Sequence, residues 1–460
     1  MVDILVLGTG ASHRTIQTDA FKFKTIVWYI AGITGRLVVQ YLNTHRQKAS
    51  FTFGLAGRSQ SKLSALISEF SLNDVPVFTV DVSNAAEVES VICHARVIIN
   101  TIGPYWFWGN NVVSACVRHG KHYVDLTGEP HWVKDVIATY DYAATQTGSI
   151  VVPFCGLDSI PSDLLVFVAN KTLKAFAGSS ATIDQSTSAW TVTESGLSGG
   201  TVASMLAAFE EVPRRKLVAS SQDFCLSPVQ GVPNSRPRLV YTLPFSSPPV
   251  RGPWFVMAVI NRQVVFRTWG LHELTARLNI GQSEVAESSK TLTYGPNFKY
   301  EEFIVFPSFF QAFMHAAVIT ISMIALSTCS WARKLARRLL PKAGDGPSDE
   351  NLEKGAVEIT NITTSTDSQR HPTVIRTTFK GRGEPGYLLS SIMVAESALC
   401  IILNGRDLPP IAKAGGVLTP MSAFGDVLVE RLKACGRIEV HSEILLDADR
   451  NNSDGIKKTR

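Results

Sequence analysis

Apolar runs of strand length alternate with amphipathic stretches of helical spacing through the first third of the chain. Ile4 to Leu7 is a continuous apolar run, and Leu37, Val38, Tyr41 and Leu42 then mark one face of a helix. A second run, Phe51 to Ala56, closes on Gly57, Arg58 and Ser59, and Leu63, Leu66, Ile67 and Phe70 follow at helical spacing. Val75 to Val80 ends in Asp81, Val97 to Asn100 ends in Thr101, Gly103 and Pro104, and His122 to Leu126 and Ile150 to Pro153 complete the series. Strands that are apolar throughout, separated by helices, predict an α/β fold: a doubly wound parallel sheet covered on both faces, spanning residues 1–153. Ligands of such sheets bind beyond the carboxyl ends of the strands, where Gly8, Arg58, Asp81 and Gly103 all fall.

The turn that would hold a dinucleotide is divided. Gly8 ends the first apolar run, whereas Gly32, Thr34 and Gly35 stand in AGITGR at the start of the first helix. With residues 9–30 taken out, Gly8, Gly32 and Gly35 fall in GxGxxG register, the spacing that brings backbone N–H groups to a pyrophosphate. At the end of the second strand, where an acid would accept a ribose 2′-hydroxyl, the chain carries Arg58, with Ser59 and Lys62 nearby. A guanidinium there clamps a 2′-phosphate bidentately, so the expected cofactor is NADP(H) in preference to NAD(H). Asp81 either bonds the adenine edge or caps the next helix. Thr101, Gly103 and Pro104 complete the candidate cofactor set. Tyr105 is the candidate proton donor, with aromatic packing as its other role, and Asp125, Gly128 and Glu129 lie within reach of the same end.

Farther along, residues 184–300 read as β-rich, with a proline- and serine-rich loop from Ser227 to Pro253. Ser159 and Pro161 in PFCGLDSIPSDL read as a helix start. Phe303 to Ala332 contains no Asp, Glu, Lys or Arg, so a helix over 309–332 is long enough to enter a bilayer, and Arg333, Lys334, Arg337, Arg338 and Lys342 follow it directly. The expected partner of 309–342 is the cytoplasmic side of a membrane or a lipid-droplet surface. A buried core helix and an apolar lid over a lipid substrate are the alternatives. Helices are expected over Tyr387 to Leu403 and Ala423 to Lys433, and residues 447–460 read as a flexible tail.

Composition narrows this picture little. At 460 residues, 45% hydrophobic and 18% charged, there is material for more than one folded unit. A net charge of +5 spread along the chain does not argue for nucleic acid. Seven cysteines without CxxC pairing, and histidines without HExxH, suggest neither a disulfide framework nor a metal site, and fit a reducing compartment. No cleavable targeting signal is evident.

AGITGRLVVQYL, FGLAGRSQSKL, VIINTIGPYWFWGNNVVSACVRHGKHYVDLTGEP and VVPFCGLDSIPSDL together resemble the saccharopine dehydrogenase-like oxidoreductases, whose relatives include bacterial trans-acting enoyl reductases. SGLSGGTVASML, GEPGYLLSSIMVAESALC and GGVLTPMSAFGDVLVERL extend the resemblance over most of the chain. It implies a Rossmann domain for a nicotinamide cofactor over 1–153, with 9–30 as an unusual insertion. A mixed α/β domain carrying the substrate side follows over 154–414, and 415–440 is expected to pack back on the first domain. The activity implied is NADP-dependent oxidoreduction of a lipid or other hydrophobic substrate, in glycolipid or lipid metabolism. Two alternatives stand beside it: a non-catalytic membrane- or lipid-droplet-associated binding protein with a degenerate nucleotide site, and saccharopine dehydrogenase in lysine metabolism. The expected location is the cytoplasmic side of a membrane or lipid droplet, with the mitochondrion as the alternative.

Overall fold

Parallel strands joined through helices organise the first half of the computed structural model, which describes residues 2–8, 32–193, 199–234, 237–278, 290–340, 347–366 and 372–446. The insertion over 9–30 and the tail over 447–460 lie outside these residues. In order come β1 (Val2–Gly8), α1 (Ile33–Asn43), β2 (Phe53–Gly57), α2 (Gln60–Glu69), β3 (Val77–Thr79), α3 (Ala85–Ile92), β4 (Ala95–Asn100), α4 (Tyr105–Arg118), β5 (His122–Asp125), α5 (Pro130–Thr147) and β6 (Ile150–Val152). The strands among them all pair in parallel. With β13 (Gly416–Val417) at the far edge, the strand order is β13-β6-β5-β4-β1-β2-β3. The order reverses at β1, which lies between β4 and β2, the point at which sheets of this kind hold their ligand crevice, beyond the carboxyl ends of the strands.

The second sheet is mixed. From α6 (Ile160–Ala177) the chain runs through β7 (Ile183–Thr193), α7 (Gly199–Glu211), α8 (Arg214–Ser221), β8 (Val240–Thr242), β9 (Arg251–Pro253), α9 (Ala258–Leu278) and β10 (Lys299–Ile304). Two helices, α10 (Phe309–Thr328) and α11 (Ser330–Leu339), are followed by α12 (Asp349–Lys354), β11 (Ala356–Ser365) and β12 (Val374–Arg382). Then come α13 (Ser390–Asn404), α14 (Pro410–Ala414), α15 (Pro420–Ala434) and β14 (Ile438–Leu446). The five-strand order is β10-β7-β11-β12-β14, and β8 pairs with β9 apart from it.

Two expectations are corrected here. Residues 184–300 are not β-rich: α7, α8 and α9 occupy much of the segment. Helix α9 hides its character because it buries Asn261, Gln263, Arg267, Thr268 and His272 beside Val264, Val265 and Phe266, so no clean apolar stripe shows at helical spacing. The helix after residue 308 is not a core helix either, since only Ala312 and Ala316 of α10 are buried. The equally apolar segment Pro385–Asn404, by contrast, is mostly buried.

Helix α13 fixes α1 from behind. Its Glu396 carboxylate accepts hydrogen bonds from the Tyr41 hydroxyl and from the Arg431 guanidinium of α15 (2.6 Å), and meets His45 Nε2 at 3.0 Å. Burial pushes that carboxyl up, but the hydrogen bond from His45 and the charge of Arg431 outweigh it, and its pKa ends below the usual carboxylate range. Glu396→Gln leaves Arg431 buried without its counter-charge and is expected to cost about 3–5 kcal/mol in urea unfolding at pH 7. An acid whose folded pKa is depressed stabilises above its unfolded pKa, so this share is lost as pH falls through the acid range and the variant's deficit shrinks there.

Candidate functional site

Register places the candidate cofactor residues along one edge of the first sheet. Gly8 stands opposite Gly57, and Leu7 opposite Asn100. Gly57 in turn stands opposite Thr79. Arg58, Asp81 and Thr101, which follow these strand ends, are therefore brought to the same side, with neighbouring strands roughly 4.8 Å apart. Helix α1 returns between β1 and β2, so its N-terminus opens on that edge too. It starts at Gly32 in extended backbone (φ −121°, ψ 158°), with no side-chain cap. Its first N–H groups thus face the crevice as an anion site would require. The hydroxyl of Ser391 on α13 donates to the Thr34 carbonyl at 2.9 Å, and Gly35 is buried.

Arg58 and Asp81 form the charged side of the crevice. Arg58 is half-buried, and its Nε is buried with no hydrogen-bond partner among the described residues. Burial pushes the Asp81 carboxyl up, but hydrogen bonds from the Ser83 backbone N–H (2.9 Å) and hydroxyl (2.7 Å), with the charge of Arg58, hold it below the ordinary value. Ser59 caps α2, accepting from the Lys62 backbone N–H at 3.4 Å, while the Lys62 side chain is exposed. An unpartnered guanidinium nitrogen beside a helix that opens with glycine fits the phosphates of a dinucleotide.

At the other end, VDLTGE folds into a ladder of local hydrogen bonds. Asp125 Oδ1 accepts from Thr127 N at 2.9 Å, and Thr127 Oγ1 accepts from Glu129 N at 3.1 Å. The Glu129 carboxylate then receives the first N–H groups of α4, from Tyr105 at 2.9 Å and Trp106 at 2.8 Å, and the Ser204 hydroxyl of α7 at 2.9 Å. Burial raises the Glu129 pKa against these three donors. The same Ser204 hydroxyl lies 3.6 Å from where a Cβ on Gly103 would stand, so α7 closes on the crevice at the end of β4. Tyr105 itself is turned inward. Its hydroxyl donates to the Asn100 carbonyl at 3.0 Å and accepts from Leu126 N at 3.3 Å, its ring stacks on Trp132, and burial pushes its pKa well up.

The PFCGLDSIPSDL segment supports a second buried centre. Pro161 sits in the first turn of α6, but Ser159 makes no side-chain cap; its hydroxyl reaches Asn261 Oδ1 at 3.4 Å. Ser162 donates to Glu302 at 2.7 Å, and the same carboxylate accepts from Tyr300 (2.7 Å), Asn261 (2.7 Å) and Trp190 (3.2 Å). The sequence reading missed both the Glu302 centre and Ser204. Ser204 lies in a stretch carrying the family resemblance, but its partner Glu129 is 75 residues away.

Known proteins share the family and the fold. The saccharopine dehydrogenase NADP binding domain model matches residues 26–152, which takes in the candidate cofactor residues from Gly32 to Pro104 but not Gly8. A protein of Mycobacterium tuberculosis named as a trans-acting enoyl reductase is 30% identical over 441 residues, covering 90% of this chain and 96% of the relative. A trans-acting enoyl reductase of Mycobacterium bovis is 29% identical over 437 residues, with the same coverage. Apo saccharopine dehydrogenase (L-Glu forming) from Saccharomyces cerevisiae shares the fold with a TM-score of 0.50 at 12% identity, over 92% of this chain and all of that one.

Burial holds Asp125 at about 7, and Asp163 of α6, also fully buried, at about 7. The unfolded chain gives up these protons near pH 4, so the stability they supply at low pH is lost as pH rises towards 7. Asp125→Asn removes its share, and the fall in Tm between pH 5 and pH 8 should become shallower than in the parent protein.

Proposed function

The chain belongs to the saccharopine dehydrogenase-like oxidoreductase family, and on that premise we propose that it moves hydride between NADP(H) and a hydrophobic, lipid-like substrate. NADPH, when bound, supplies the hydride. The backbone N–H groups at the start of α1, after Gly32, take the pyrophosphate. Arg58 takes the 2′-phosphate, with Ser59 and Lys62 beside it. The observation that carries the NADP preference is the buried, unpartnered Nε of Arg58 at the end of β2, where NAD-binding sheets place a carboxylate. The named activity of the mycobacterial relatives supports an activated carbon–carbon double bond as the acceptor. A lipid-like substrate also fits the apolar surface of α10.

Hydride addition to such a bond leaves a carbanion equivalent that must be protonated. The hydrogen-bonded pair Ser204–Glu129 is the proton-holding group in this reading, because it lies beside Gly103 while the Tyr105 hydroxyl faces backbone groups in the core.

Fluorescence titration with NADPH, on the protein with and without residues 9–30, tests cofactor binding directly; if neither form binds, the oxidoreductase reading falls. Arg58→Ala should weaken NADPH by about ten- to a hundredfold, the loss of one or two charge-assisted hydrogen bonds, while NADH binding changes little. Ser204→Ala should lower kcat for NADPH oxidation with a 2-enoyl thioester by about a hundredfold and leave the NADPH Kd unchanged. An unchanged kcat would place the proton source elsewhere.

A further inference from the structure

Helix α10 is built inside out for a surface helix in water. Its small residues Ala312 and Ala316 face the protein and pack towards β9, and Thr320 accepts a hydrogen bond from Trp254 Nε1 at 3.2 Å. Its large apolar residues face outward: Phe310 is 72% exposed, Ile321 66% and Ile324 58%. The next helix continues the apolar surface with Trp331, Leu335 and Leu339, one helical turn apart and all exposed. A solvated helix keeps its large apolar side chains towards the core, so this arrangement leaves an apolar face with no partner among the described residues.

Charge says what covers it. No Asp or Glu occurs between Glu302 and Asp345. Arg333 and Arg337 are drawn to Glu210 of α7, whereas Lys334 and Arg338 are exposed with no ion-pair partner among the described residues. An apolar face flanked by free cations matches acyl chains beneath anionic headgroups. A second copy of the chain would bring like charges together across the same face. The contacts of Ala312, Ala316 and Thr320 hold the helix against the protein, which is incompatible with its crossing a bilayer alone.

We propose that α10 and α11 lie in the plane of an anionic phospholipid bilayer leaflet and dock the enzyme on it, with α7 leading from that surface to the candidate site. Glu210, which holds α11, is six residues from Ser204, roughly 9 Å along the helix axis. A substrate leaving the leaflet beside α7 therefore has a short path to the crevice; this part rests on the oxidoreductase reading, while the docking itself does not.

Co-sedimentation of the full chain with phosphatidylcholine vesicles, with and without phosphatidylserine, tests the docking. The protein should pellet with the phosphatidylserine vesicles at low salt and be released as salt rises. Replacing both Lys334 and Arg338 by Ala should weaken this by about tenfold or more, and the combined Phe310→Glu, Ile321→Glu and Ile324→Glu variant should abolish it. Every variant is checked by NADPH titration, which the surface changes should leave unaltered. The proposal is overturned if the parent protein stays in the supernatant, if the triple-Glu variant still pellets, or if that variant loses only self-association, which would make a second copy the occupant. Vesicle binding without NADPH binding would sink the oxidoreductase reading and leave the docking surface intact.

Discussion

The buried carboxylate of Glu396 holds together what the sequence has pulled apart. In a doubly wound fold the short turn between the first strand and first helix places the helix over the cofactor. Here residues 9–30 intervene, so the described contacts that position α1 come from elsewhere in the chain. The Ser391 hydroxyl fastens its first turn, while Glu396 binds Tyr41 on α1 and His45 just beyond it. Both anchors stand on α13, more than 350 residues away, and α13 is buried against the first sheet and α15. The cofactor crevice is thus assembled by the end of the chain as much as by its beginning, and the divided glycine turn does not by itself leave α1 unplaced.

Equal burial does not give equal electrostatics. Glu396 and Asp125 are both fully enclosed, yet their pKa values move in opposite directions. Glu396 meets a guanidinium, so its charged form is favoured despite the loss of water. Asp125 meets only neutral donors, from Tyr123, Thr127 and Phe154, and these do not replace what hydration gave. The first group serves as an ionic tie between helices. The second is a polar hub for the turn that carries Glu129, and this turn needs the donors in place more than it needs the charge.

What the sequence made legible follows from how local each signal is. Strands β2 to β6 lie within about two residues of where their apolar runs put them, because a short apolar run declares itself without reference to any partner. Gly32, Arg58 and Asp81 could be picked out because they stand immediately at element ends. Helix α9 could not, since its buried face carries Asn261, Arg267 and His272 in place of apolar residues, and their partners lie on distant elements. The same is true of Ser204, whose meaning comes from its hydrogen bond to Glu129, 75 residues earlier. Ser159 shows the reverse error, a residue type at a helix start whose hydroxyl is claimed by a tertiary neighbour.

The two long apolar segments carry this lesson furthest. Helix α10 and the segment Pro385–Asn404, which ends in helix α13, both meet the length and composition of a membrane segment, and composition alone cannot separate them. Their positions in the fold do. Helix α13 carries Glu396 and is covered on its flanks by α1 and α15, so its apolar side chains have protein partners and its one carboxylate has a guanidinium. Helix α10 carries no Asp, Glu, Lys or Arg, and the residues it buries fully are Ala312 and Ala316. Side chains as large as Phe310 and Ile321 would gain roughly 1.5–3 kcal/mol each on leaving water, a gain the fold has not taken. That unclaimed free energy lies on α10 and continues along α11, which Glu210 ties to α7, the helix that carries Ser204.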